Sequence, residues 1–236
     1  MEPIQYSAEK LQPLILHADN HLLALNKPAG LLSQDSGTGL RNLEDWAREW
    51  VRVEKNKSGA VFLNAVHRID KAVSGVVLFA RTSKALSRLN EEIRKRNCKK
   101  IYHALVEGVP PKPSGQRIDW LAHEHHRARI CREGEKGVQR AVLSYQTLLP
   151  KIGTRSLLEI DPETGRYHQI RAQLSAMGCP IAGDTKYGAQ QTAADGSIAL
   201  HHRRLEIIHP TRKEPVAIRA PYPSGSPWWR EIGDRR

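Results

Sequence analysis

Hydrophobic positions along the chain change their period several times, and each change marks an element. Residues 1–18 show little periodicity and read as a short arm. His21-Leu22-Leu23-Ala24-Leu25-Asn26 is then an apolar run of strand length, stopped by the turn sequence Lys27-Pro28-Ala29-Gly30. Leu43, Trp46, Ala47, Trp50 and Val51 recur with helical spacing, which predicts an amphipathic helix over about 41–53 with both tryptophans in the core. A buried strand follows at Val76–Ala80. Thr82 or Ser83 can cap a second helix whose apolar face is Leu86, Leu89 and Ile93.

The second half of the chain is richer in alternation of period two. A strand is predicted through Ile101–Val106, stopped by Gly108 and the prolines at 110, 111 and 113. Over 138–149, Ala141, Leu143, Tyr145, Thr147 and Leu149 share one face of a long strand, and a further strand spans Ser156–Ile160. A helix over about 167–177, with Ile170, Leu174 and Met177 as its buried stripe, stops at Gly178. Late strands lie near 204–208 and 216–219, and 189–197 reads as a surface loop. Strands outnumber helices without regular alternation, which predicts an α+β fold on a mainly antiparallel sheet and not a doubly wound parallel one.

Charge changes the picture more than composition does. The 236 residues carry 37 Lys plus Arg against 25 Asp plus Glu, a net charge of +12 that predicts attraction to polyanions, nucleic acid first. Five of the seven residues from Arg94 to Lys100 are cationic, more than the negative end of one helix dipole requires, so phosphate contact stands beside capping as their reading. The three cysteines show no metal or disulfide spacing, the N-terminus lacks a secretory pattern, and no apolar run reaches the roughly 18 residues of a membrane span. Together these lead us to expect a cytoplasmic protein with no membrane partner.

Candidate chemistry centres on His67-Arg68-Ile69-Asp70, followed by Lys71-Ala72-Val73-Ser74-Gly75. Three potential cations around one carboxylate favour its ionised form, and such an Asp can act as a nucleophile or a general base. Taken alone, the motif reads equally as a turn with a structural Arg68–Asp70 pair. Arg171 falls beside the buried stripe of its helix and so needs an anionic partner, with local pairing to Asp161 or Glu163 as the structural alternative. Tyr102 follows the basic run, a setting that suits stacking on an exposed base as well as a core tyrosine. His123, Glu124, His125 and His126 lack the His-Glu-x-x-His spacing of a metal site and read as a solvated, partly RNA-facing edge. Gly37-Thr38-Gly39 is too short to cradle a dinucleotide or triphosphate. No metal and no cofactor is expected.

Read together, these pieces resemble the RluA-type family of RNA pseudouridine synthases. The resemblance rests on six ordered blocks over roughly 19–222: Asp19–Leu31 with Asn26-Lys27-Pro28-Ala29-Gly30; His67-Arg68-Ile69-Asp70 with Ser74-Gly75; Lys100-x-Tyr102-x-Ala104-Leu105-Val106-x-Gly108; Gly165-Arg166-x-His168-Gln169-Ile170-Arg171; Pro180-Ile181-x-Gly183-Asp184-x-x-Tyr187-Gly188; and Leu200-His201 before His209-Pro210. It implies a single catalytic domain at 19–236 on a mixed, mainly antiparallel sheet with flanking helices and a central RNA-binding cleft. It also implies isomerisation of selected uridines in tRNA or large-subunit rRNA, without cofactor, by a monomer.

Carried over, the resemblance makes Asp70 the catalytic carboxylate, Tyr102 the ring that packs on the target base, and Arg171 the partner of Asp70. Arg68 would help displace the flipped nucleotide and Leu200 would line the uracil pocket, while His67, Arg166, Lys99 and Lys100 would meet the RNA. Ile69 and Val73 stand where the family often has Leu and Thr; neither change touches the carboxylate. About 18 residues before the catalytic domain cannot hold the small RNA-binding domain that many relatives carry, so target recognition is expected to rest on the catalytic domain.

Overall fold

The computed structural model describes residues 8–37, 39–40, 42–230 and 232–233; the first seven residues of the expected arm, Thr38 and Arg41 lie outside them. In chain order the elements are α1 (Ala8–Leu11), β1 (Ile15–Ala18), β2 (Leu22–Lys27), α2 (Leu43–Glu54), β3 (Asn64–Ala65), β4 (Ser74–Ala80), α3 (Ser83–Arg94) and β5 (Lys99–Glu107). They continue with β6 (Ser114–Glu124), β7 (Arg127–Cys131), β8 (Gln139–Ile152), β9 (Arg155–Pro162), α4 (Gln169–Ala176), β10 (Leu200–Ile208) and β11 (Pro215–Arg219). The fold is α+β: the strand registers described below are antiparallel, and an isolated parallel bridge joins Leu32 to Asn42. The chain forms two compact units, Met1–Lys99 with Arg204–Pro221 and Lys100–Arg203 with Tyr222–Arg236, and passes from the second back to the first within β10.

In the first unit β2 pairs with β1 and β4, and Ala80 of β4 pairs with both Leu22 and Asn64, so at that end β4 lies between β2 and β3, while β10 is its other neighbour in the sheet. All seven β4 residues are buried, which is why the strand reads as an unbroken apolar run. α3 starts at Thr82, whose side chain accepts the Ala85 N–H. It packs Ala85 and Leu89 on a cluster with Leu22, Ala24, Val76, Leu78, Leu205, Ile207 and Ile218; Leu86 is only partly buried there. α2 buries the expected Leu43, Trp46, Ala47, Trp50 and Val51 and is capped by Asn42. The stretch read as an arm is folded from Ala8 onward. Leu11 is fully buried, and Gln12 accepts the Trp50 indole N–H at 3.1 Å.

Asp19 closes this unit. Its Oδ1 accepts the N–H groups of His21 and Leu22, and its Oδ2 lies 3.0 Å from both His17 and His209 and 3.1 Å from Arg212. Burial alone would raise the Asp19 pKa, but these donors hold it well below the usual carboxylate range.

The second unit orders its strands β5-β9-β8-β6-β7, all antiparallel. The β6–β7 hairpin was not legible in the pattern, because only Leu121 and Ala128 of its strands are buried and its tip holds His125 and His126 at φ of 44° and 60° in place of Asn-Gly. α4 begins at Gln169, two residues later than the spacing predicts, because His168 turns into the left-handed region at φ 49°. Gln169 through Leu174 are all buried, so the burial is wider than the stripe of Ile170, Leu174 and Met177. The C-terminal segment packs here too. Trp228 donates its indole N–H to Ser197, and a Cβ on Gly183, whose φ is 88°, would lie 2.6 Å from the Trp228 ring.

Candidate active site

The Asp70 loop is built on the turn that follows β2. Asp70 opens a turn of its own, its carbonyl accepting the Val73 N–H, a position that suits Asp. The segment 27–33 holds this turn through its backbone. Gly30 N–H donates to Lys71 O at 2.7 Å, while the Ser33 hydroxyl donates to Ile69 O at 2.8 Å and accepts Ile69 N–H at 3.1 Å. Ile69 and Val73 are buried on either side, which leaves Asp70 half-buried and Arg68 exposed. His67 was expected to meet RNA. Its Nε2 accepts the Leu78 N–H at 3.3 Å, so the ring braces the loop against β4.

Beneath this loop lies a residue that the motif reading quoted without a role. Lys27, fully buried, donates its ammonium to the carbonyls of Leu31 at 2.7 Å, Pro28 at 2.9 Å and Lys71 at 3.3 Å. Burial pushes its pKa down to about 7, while the Asp70 charge pulls it upward. One buried cation thus ties the turn after β2 to the Asp70 turn and places a positive charge near the carboxylate. A lysine ending an otherwise apolar strand was the available signal. Ser33 offered none.

In the second unit Tyr102 sits in β5 opposite Ile160, 9% exposed, with its ring stacked on buried His202 at 4.5 Å and 13°. Leu200 is buried at the start of β10. Arg171 is almost fully buried, and the partners its spacing suggested, Asp161 and Glu163, are not the ones described. Its Nε and Nη2 donate to the two Asp184 oxygens at 2.7 and 2.9 Å, a bidentate pair, and Nη1 donates to His168 Nε2 at 2.8 Å. Because arginine only donates, His168 Nε2 is the acceptor and Nδ1 carries the proton, directed at the Tyr187 hydroxyl oxygen at 2.9 Å. That oxygen also accepts the Ala128 N–H, and burial raises the Tyr187 pKa. Arg171 is therefore fixed by Asp184 on one side and by His168 on another, with the Tyr187 ring 4.9 Å away.

The loop before α4 is equally determined. Gln169 accepts from Thr164 Oγ and Arg166 N–H and donates to Val142 O, which knots residues 164–169 onto β8. Arg166 is exposed, its Nε on Arg140 O at 3.1 Å. Lys99 is exposed at the start of β5 and Lys100 half-buried, so both lie in the strand and not in the helix end where the basic run begins. Asp184, His168 and Tyr187 were inside quoted motif blocks but had been given no role; His202 carried no signal. Among the described residues no group of three or more His, Cys, Asp or Glu side chains is placed to hold a metal ion.

Comparison with known proteins identifies the family. The family model described as RNA pseudouridylate synthase matches residues 21–176, more than half of the chain. The dual-specificity RNA pseudouridine synthase RluA of Pasteurella multocida is 33% identical over 213 residues, covering 88% of this chain and 92% of that protein. The ribosomal large subunit pseudouridine synthase C of Vibrio vulnificus is 34% identical over 218 residues, covering 90% of this chain and 66% of the relative. Among solved structures, human RNA pseudouridylate synthase domain containing 4 superimposes with a TM-score of 0.77 at 26% identity, covering 92% of this chain and 91% of that one.

Proposed function

The chain belongs to the RNA pseudouridylate synthase family, and from that premise we propose that it isomerises specific uridines in tRNA or large-subunit rRNA, with Asp70 as the essential carboxylate. The reaction breaks the N1–C1′ glycosidic bond, turns the freed uracil and joins C5 to C1′. N1 gains a proton and C5 releases one, so atoms balance without an oxidant or reductant. Asp70 supplies the negative charge next to the sugar on which bond cleavage depends. Tyr102 packs on the target base, and Leu200 lines the uracil pocket. Arg171 pairs with Asp70, a role supported by the rigid orientation that Asp184 and His168 impose on its guanidinium.

The target uridine must leave its stack, at a cost of a few kcal/mol. Exposed Arg68 is suited to fill the vacated space, and Arg166, Lys99, Lys100 and the +12 charge contribute phosphate contacts that offset the cost. We take the working form to be a cytoplasmic monomer acting on RNA without a protein partner.

The observation that carries this reading is the pairing of the family match with the Asp70 loop, which backbone and hydroxyl bonds clamp while the carboxylate itself stays half-buried. RNA carrying 5-tritiated uridine tests it, since forming the C5–C1′ bond releases the label to water. Wild type should release tritium, whereas Asp70→Asn should bind the same RNA and turn over roughly a thousandfold more slowly or worse. Wild-type turnover in that variant would remove Asp70 from the mechanism.

A further inference from the structure

We propose that His123 and Tyr167 form a second stacking subsite, which takes an unpaired nucleobase of the RNA substrate while Arg127, Arg140 and Arg166 take its flanking phosphates. The proposal rests on RNA being the substrate. Its first observation is a pile of rings. His168, bonded to Arg171, stacks on Tyr167 at 3.9 Å and 18°, and Tyr167 in turn lies 4.1 Å from His123 at 37°. The pile begins at a buried guanidinium and ends in solvent: Tyr167 is 38% exposed and His123 is exposed at the end of β6. Tyr167 is held at its far end, its hydroxyl donating to His126 O at 3.3 Å, so the two outer rings keep their places without a ligand. Both faces of Tyr167 carry an imidazole. His123 has a neighbour on one side, and a flat aromatic ring can extend the ladder from it at the same spacing.

The second observation is the charge around the pile. On the same hairpin Arg129 pairs with Glu124 and Glu135, and Arg117 pairs with Asp119. Arg127, Arg140 and Arg166 differ: among the described residues no carboxylate lies within ion-pair distance of any of them, and all three are exposed. Arg166 donates to the Arg140 carbonyl, and Arg127 lies over the Tyr187 ring beside the β6–β7 tip. Uncompensated arginines around an open ring face suit a single-stranded nucleic acid, whose bases stack while its phosphates are neutralised. An apolar partner would match the ring but leave the arginines unpaired.

Equilibrium binding of a fluorescein-labelled RNA stem-loop with a uridine-containing loop, measured by anisotropy, tests the subsite. His123→Ala should weaken binding about tenfold, the size of one lost base stack, and His123→Phe should restore it because a ring without charge still stacks. Arg140→Gln should lower the slope of log affinity against log salt by roughly 0.7, one single-strand phosphate contact. Undiminished binding by His123→Ala, equal losses in the Ala and Phe variants, or an unchanged salt slope in Arg140→Gln would overturn the subsite while leaving the proposed function standing. A wild-type protein that does not bind the stem-loop would overturn both.

Discussion

The Asp70 loop and the Arg171 pocket solve opposite electrostatic problems with different materials. At Asp70 the carboxylate proposed for catalysis is half-buried, and the buried charge beneath it is a lysine whose donors go to backbone carbonyls. At Arg171 the proposed functional cation is itself buried, and what fixes it is side chain on side chain: a carboxylate, an imidazole and a phenol. Backbone carbonyls hold the Lys27 ammonium without a full countercharge, so this lysine does not need the Asp70 carboxylate as a hydrogen-bond acceptor. A bidentate Asp184 neutralises Arg171 and fixes its plane, leaving orientation, more than net charge, as what the pocket presents.

The comparison breaks most sharply at Asp184. Asp184→Ala removes the bidentate carboxylate from a buried guanidinium and should cost about 3–5 kcal/mol, read as a drop of roughly 10 °C in thermal midpoint; a loss under about 1 kcal/mol would show that the other partners of Arg171 suffice. Lys27→Met should cost less, about 1–3 kcal/mol in urea titration, because three carbonyls lose a donor but no charge is orphaned. A stabilised Lys27→Met would mean that the cost of burying the ammonium exceeds the worth of those bonds. Ser33→Ala removes both bonds to Ile69 and should cost about 1–2 kcal/mol with a fall in turnover, since it loosens the residue before Asp70.

The finest test is pH. Lys27 titrates near 7 when folded and near 10.5 when unfolded, so between those values the unfolded chain binds more protons and wild-type stability gains as pH rises. Relative to Lys27→Met, wild type should gain about 1 kcal/mol from pH 7 to 8. A gap that stays constant over that range would mean the three carbonyls and Asp70 keep the ammonium charged.

Much of the fold was legible. The apolar runs of β2 and β4 and the helical spacing of Leu43 to Val51 map onto elements within a few residues, because hydrophobic period is a local quantity. The β6–β7 hairpin was not, since so few of its side chains are buried and a His125-His126 tip is no usual turn signal. In the candidate site the motif blocks contained Lys27, His168, Asp184 and Tyr187, yet nothing in them says which side chain meets which. Arg171 needed an anion, and sequence proximity offered Asp161 and Glu163; the chain instead turns back after α4 and delivers Asp184. His168 marks the same limit, as its left-handed backbone conformation delays the helix by two residues.

By itself the sequence determined the class of element at most positions, the basic surface, and the neighbourhood of a carboxylate with several cations. Those depend on period and composition, which are written along one dimension. Only the tertiary structure decided that Lys27 is buried beneath Asp70, that Arg171 is locked by Asp184, and that a ladder of rings runs from His168 to an exposed His123. The partner of a charged or aromatic side chain is whatever distant segments are desolvated with it, and that is settled when the chain packs.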